Sequence, residues 1–197
     1  MKNCISICLL LIGLCTCTQY PKLGEELLNL ETVDFNKKID DYYSKRHFLQ
    51  KDTWELDYDS TNITTTYLTL GDSLSYFGEI YFNGIYMMKN KDEEFIALQT
   101  INISKDYNIT YDFLDYLQEK YGTPIITERD WFGEYYNYRW TLNDRIIIVN
   151  SIYDEQKDVL SFEEKLEPVC KIELYIINRR HNEIIGKFHR GDWISLK

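Results

Sequence analysis

Apolar and polar positions alternate with two different periods along this chain, and each period predicts a different element. From residue 34 to about 49, Phe35, Ile39, Tyr42 and Tyr43 recur at i, i+4, i+7 and i+8, the spacing of one helix face. Asp34 is placed to cap that helix, and Lys37 and Asp41 lie four apart on its polar side. From about residue 54 to 103 the pattern shortens to β-rich runs at 64–70, 76–82, 85–88 and 95–103. Asn83-Gly84 between two of these runs predicts a type I′ hairpin, a turn that needs positive φ at both central residues. The polar stretch 89–94 predicts a further reversal.

A second helix is expected from about 109 to 121. Phe113, Leu114, Leu117 and Tyr121 make its apolar stripe, and Gly122 followed by Pro124 ends it. Beyond it Tyr136, Tyr138 and Trp140 alternate with Asn137 and Arg139, as in a half-buried strand. Residues 146–149 read as a central strand, 154–168 as a charged connection, and Ile172, Leu174 and Ile176 as one face of a late strand. The order is helix then strands, twice over. The expected class is therefore α+β, with antiparallel sheets packed by two main helices and two similar halves, 34–104 and 105–197. No residue-level repeat accompanies that topology.

Composition narrows the class of partner. The 197 residues carry 22 Lys and Arg against 32 Asp and Glu, a formal charge of −10. A chain this acidic excludes nonspecific nucleic-acid binding. Its 17 Tyr and 44% hydrophobic residues exclude an acidic disordered chain.

The N-terminus changes the picture further. Lys2 precedes about ten apolar residues, too few for the ~20 that span a bilayer and the right number for the apolar core of a signal peptide. Leu14-Cys15-Thr16-Cys17 then resembles the lipobox of bacterial lipoproteins. The resemblance implies removal of residues 1–16, acylation of Cys17 by palmitate-type chains, and anchoring at a membrane of the bacterial cell envelope. Cys15 is the alternative lipidation position. Residues 17–33 would then serve as a lipidated tether and 34–197 as one globular domain. Removing Lys2 with the signal leaves 21 basic against 32 acidic residues, or −11, and leaves Cys170 as the one cysteine apart from Cys17. Cys170 lies in an apolar strand and reads as a buried, inert thiol.

Candidate chemistry is sparse. Gly71-Asp72-Ser73-Leu74 resembles the nucleophile block of the GDSL esterases and lipases, which would make Ser73 a nucleophile. That family also uses a Gly-x-Asn-Asp block and a C-terminal Asp-x-x-His. The nearest stretch to the first is Thr141-Leu142-Asn143-Asp144, and none of His47, His181 and His189 follows an Asp at −3. The histidines have no paired ligand spacing, so neither a metal nor another cofactor is expected. The aromatic run around Trp131 and Phe132 is the expected binding feature, because flat faces in a loop suit a protein partner or a sugar ring. The expectation is a non-catalytic binding or accessory module. The alternatives are an inhibitor or immunity-type protein directed at a basic enzyme or toxin, and a serine esterase using Ser73.

Overall fold

Strands dominate the molecule. The computed structural model describes residues 26–42, 56–58, 61–69, 73–129, 135–154 and 169–182. The strands are β1 (Leu28–Asn29), β2 (Leu56–Tyr58), β3 (Thr61–Thr69), β4 (Ser75–Phe77), β5 (Ile80–Phe82), β6 (Gly84–Lys89) and β7 (Phe95–Ser104), then β8 (Ile125–Arg129), β9 (Tyr135–Thr141), β10 (Arg145–Asp154) and β11 (Val169–Asn178). Helix α1 (Asn108–Tyr121) joins β7 to β8. Eight strands form one antiparallel sheet in the order β2-β3-β6-β7-β11-β10-β9-β8, and β1, β4 and β5 form a small second sheet.

The central strands earn their place by being apolar on both faces. Ile147 and Val149 of β10 and Ile172, Leu174 and Ile176 of β11 bury one side with Ile85, Met87, Leu98 and Trp140. Ile146, Ile148, Tyr175 and Ile177 bury the other with Met88, Ile96 and Ala97. A bulge between β6 and β7 resets the alternation, so Phe95 and Leu98 join the first cluster while Ile96 and Ala97 join the second. A polar row crosses the second face. Gln99 donates to the Tyr175 hydroxyl at 3.0 Å, which donates to Glu173 at 2.9 Å. Asn150 donates to Glu173 at 3.4 Å, and Asn137 donates to Asn150 at 2.9 Å. Lys171 pairs with the other Glu173 oxygen at 2.6 Å. The links between strands join register partners on β7, β11, β10 and β9, so a one-residue slip at any of these pairings would break the link across it.

This architecture corrects the expected α+β class. The protein is mostly β, and among the described residues it has one α-helix rather than two. The main sheet runs across both expected halves, joined where β7 pairs with β11. The first expected helix is, over its described part, a turn at 34–37 followed by a short 3-10 helix, Ile39–Tyr42; residues 43–49 lie outside the described residues. Asp34 explains the difference. Its carboxylate accepts from the backbone N–H and side-chain amide of Asn36, a local turn that competes with a helical start. The Tyr42 hydroxyl locks the loop by accepting from Asp34 N–H at 2.8 Å and donating to Asp34 C=O at 3.0 Å. Phe35, Ile39 and Tyr42 still pack inward, Phe35 and Tyr42 against Phe95.

Asn83-Gly84 is also not a hairpin turn. Neither residue has positive φ, and the strands it joins, β5 and β6, belong to different sheets. The reversal falls earlier, at Gly78 (φ +59) between β4 and β5. The 89–94 reversal does form. Asn90 Oδ1 accepts from Asp92 and Glu94 N–H and closes the β6–β7 connection. Helix α1 spans Asn108–Tyr121, close to its expected limits.

The first face of the sheet is covered by α1, the β4–β5 hairpin and residues 28–42. Leu28, Leu30 and Val33, expected to lie in the tether, are buried in this core. One carboxylate joins all three covering pieces. Glu31 accepts from Gly78 N–H at 3.1 Å, from the Tyr116 hydroxyl and from Lys120. Arg145 at the start of β10 adds a second hold, donating to Glu31 C=O at 3.1 Å and Val33 C=O at 3.0 Å. Burial alone would raise the Glu31 carboxyl, but Lys120, Tyr116 and Gly78 N–H outweigh it and leave its pKa lowered. Burial, then the Glu31 carboxylate, raises the Tyr116 hydroxyl. The Glu31 carboxylate, then Tyr116, raises Lys120.

Two predictions follow from this junction. A Cβ at Gly78 would sit 2.9 Å from the Tyr116 ring at a backbone angle that L residues disfavour. Gly78→Ala should therefore cost about 2 kcal/mol in urea unfolding; an unchanged midpoint would mean that Tyr116 moves aside freely. Glu31 holds its proton less readily in the folded state than in the unfolded one. Its stabilisation is complete above the unfolded pKa and is lost as pH falls through the lowered folded value. The thermal midpoint should fall on acidification below the ordinary carboxylate range, and Glu31→Gln should flatten that part of the profile.

Candidate binding surface at the sheet edge

The end of α1 sets where β8 lies. Gly122 (φ +84) takes the left-handed position that stops the helix, and its N–H donates to Gln118 C=O at 2.9 Å. Its own C=O accepts from the indole N–H of buried Trp140 at 2.7 Å. The helix end is thereby fixed to β9, and residues 122–124 deliver the chain to the outside of β9. There β8 forms the last strand of the sheet. No described strand pairs with its outer side, so that side presents a row of backbone donors and acceptors.

The side chains around this edge are unusually apolar for a surface. Ile125 is 64% exposed and Ile126 55%, on opposite faces of β8. Ile126 is the register partner of Tyr138, which packs against the helix-side core. Tyr136 lies on the same side, 42% exposed, with its ring 6.3 Å from that of Tyr138. Tyr111 of α1 is 67% exposed. Burial raises the Tyr138 hydroxyl, and Tyr136 and Tyr111 are near enough to add to the effect. Asp112, Asp115 and Glu119 line the outward face of α1 and are exposed. An open edge flanked by exposed Ile and Tyr can receive an extended segment as an added strand, with backbone bonds giving affinity and side-chain contacts giving selectivity.

The residues singled out from sequence fall in several places. Trp131 and Phe132 belong to the β8–β9 connection, and they lie outside the described residues, as do Cys17, His47 and His189. The described flanks of that connection, Ile125–Thr127 and Tyr136, form the surface just described. Ser73 precedes β4, where its hydroxyl donates to the Asn83 amide oxygen at 3.5 Å. An amide oxygen is not a base that can activate a serine. The strands around it are antiparallel apart from β1 on β4, unlike the parallel sheet of the GDSL family. His181 lies 3.5 Å from Glu94, at the β6–β7 connection. Cys170 is buried on β11, and burial pushes its thiol up, away from the reactive thiolate.

Sequence reasoning missed β8 itself and Tyr111. The signal for β8 was present in the β-branched run Ile125-Ile126-Thr127 directly after Pro124. Tyr111 sits off the apolar stripe of α1, a position at which a large aromatic marks an exposed face. Among the described residues no helix is long and apolar enough to cross a membrane. No group of three or more His, Cys, Asp or Glu among them is arranged to hold a metal ion. Comparison with known proteins finds no matching family, no similar curated protein and no similar solved structure.

Proposed function

We propose that this protein is a lipid-anchored bacterial envelope protein whose domain is a non-catalytic binding or accessory module. The exposed edge strand β8, with Ile125, Ile126, Tyr136 and Tyr111 around it, is the observation that carries the binding role. Exposed apolar groups of this size beside a strand side that no described strand pairs favour strand addition by a partner. The anchoring role rests on Leu14-Cys15-Thr16-Cys17 and the apolar stretch before it. More than one acyl chain makes such an anchor stable, each buried methylene adding ~0.8 kcal/mol.

A second reading, an inhibitor or immunity-type protein, is favoured by Asp112, Asp115 and Glu119 on the outward face of α1. Acidic groups beside the edge would speed encounter with a basic enzyme or toxin. Both readings use the same surface and differ in the partner.

Two tests address the proposal. Cys17→Ala should move the protein from the membrane fraction to the soluble fraction; membrane retention with unchanged processing would refute lipidation. Ile126→Asp with Tyr136→Ser changes exposed side chains and should leave the protein folded, with an unfolding free energy lower by no more than about 2 kcal/mol. The same pair should weaken capture of the partner from envelope extract at least tenfold. Undiminished capture by the double variant would remove the edge from the binding role.

A further inference from the structure

A cleft of about 390 Å³ opens at the end of the sheet where β9, β10 and β11 meet the 34–36 turn. Three short segments line it, residues 34–36, 143–145 and 178–180. Three arginines converge there in a protein of net charge −10.

The charges do not all cancel. Arg145 is occupied: it pairs with Asp144 at 2.6 Å, donates to Glu31 and Val33 C=O, and lies over the Phe35 ring at 5.8 Å. Asp144 is correspondingly spent, its carboxyl held below the ordinary range by the Arg145 guanidinium. Asn178 is also spent, accepting from Arg180 N–H and donating to Phe95 C=O. Arg179 uses one nitrogen on Leu142 C=O at 3.0 Å, so the rest of its fork remains. The Arg180 side chain makes no hydrogen bond or ion pair to the described residues, and it is exposed. Against Arg179 and Arg180 stands the Asp34 carboxylate, which is turned toward Asn36.

We propose that this cleft binds a monocarboxylate saccharide, a uronate-type sugar, with its carboxylate on Arg180 and Arg179. The cleft's three arginines and two aspartates leave one positive charge, which suits a monoanion; a dianionic phosphate would meet Asp34 uncompensated. Arginine's planar fork matches a carboxylate. Phe35 borders the cleft with its ring already held between Phe95 and the Arg145 guanidinium, so the recognition of ring hydroxyls falls to the exposed Asn36 and Asn143 amides, which can both donate and accept. The volume lies in the range of small-ligand sites. This site lies apart from the β8 edge, and it stands or falls independently of the partner proposed there.

Calorimetric titration of the full chain in detergent with D-glucuronate tests it. Saturable one-to-one binding is expected, with D-glucose silent because it lacks the carboxylate. Arg180→Gln should weaken glucuronate binding at least tenfold. Asp34→Asn should strengthen it several-fold, because it removes the opposing charge and keeps the oxygen that accepts from Asn36; loss of fold cannot mimic a gain. Absence of saturable glucuronate binding would overturn the proposal, as would binding unaffected by Arg180→Gln. N-acetylglycine or inorganic phosphate binding at the cleft while glucuronate stays silent would also overturn it, pointing to a peptide carboxylate or a phosphate instead.

Discussion

The Glu31 carboxylate is the junction on which this fold depends. The first face of the eight-stranded sheet needs a cover, and here that cover is three short, separate pieces. None is large enough to hold its own shape. Glu31 belongs to the first piece, Gly78 to the second, and Tyr116 and Lys120 to the third. A partly buried carboxylate must be satisfied by donors, and satisfying it brings the three pieces together. Packing follows from this: Phe77 meets Phe113, Tyr116 and Tyr121 edge to face once the β4–β5 hairpin lies against α1.

The cover also explains where the open surfaces are. It lies over the middle of the first face, and two places stand outside it among the described residues. One is β8, carried beyond the cover by the Gly122–Trp140 link. The other is the end of the sheet, where Arg145 reaches the 34–36 turn and leaves a cleft beside it. The two differ in character. The edge is apolar with an acidic flank, suited to a protein segment. The cleft is polar and locally cationic, suited to a small anion. A module with both would join a partner and a small ligand on one rigid sheet.

Much of the fold was legible in sequence where local rules act alone. Gly122 and Pro124 ended α1 as expected, because a left-handed glycine and a residue without an N–H leave the chain no other course. The strands at Trp140 and Ile176 followed from alternation, and the one at Ile147 from its continuous apolar run. Misreadings arose where two local signals competed. Phe35, Ile39 and Tyr42 have helical spacing, yet the Asp34–Asn36 turn and the Tyr42 hydroxyl fold them into a loop that buries the same side chains. Asn83-Gly84 has hairpin composition, yet its flanking strands found better partners in separate sheets. At Phe35, Ile39 and Tyr42 the inward side chains were read correctly, and the backbone path was not.

The candidate sites follow the same division. By itself the sequence determined the N-terminal apolar stretch with its Cys17 motif, the acidic balance, the stop of α1 and the inward faces of the central strands. Each depends on neighbours a few residues apart. Tertiary structure alone decided that β8 is an edge, that Ile125 and Ile126 are exposed although both are isoleucines, and that Asp34, Asn143 and Arg180 share one cleft. Strand order is settled by pairings between residues far apart in sequence, and no local pattern reports which strand will be left without a neighbour.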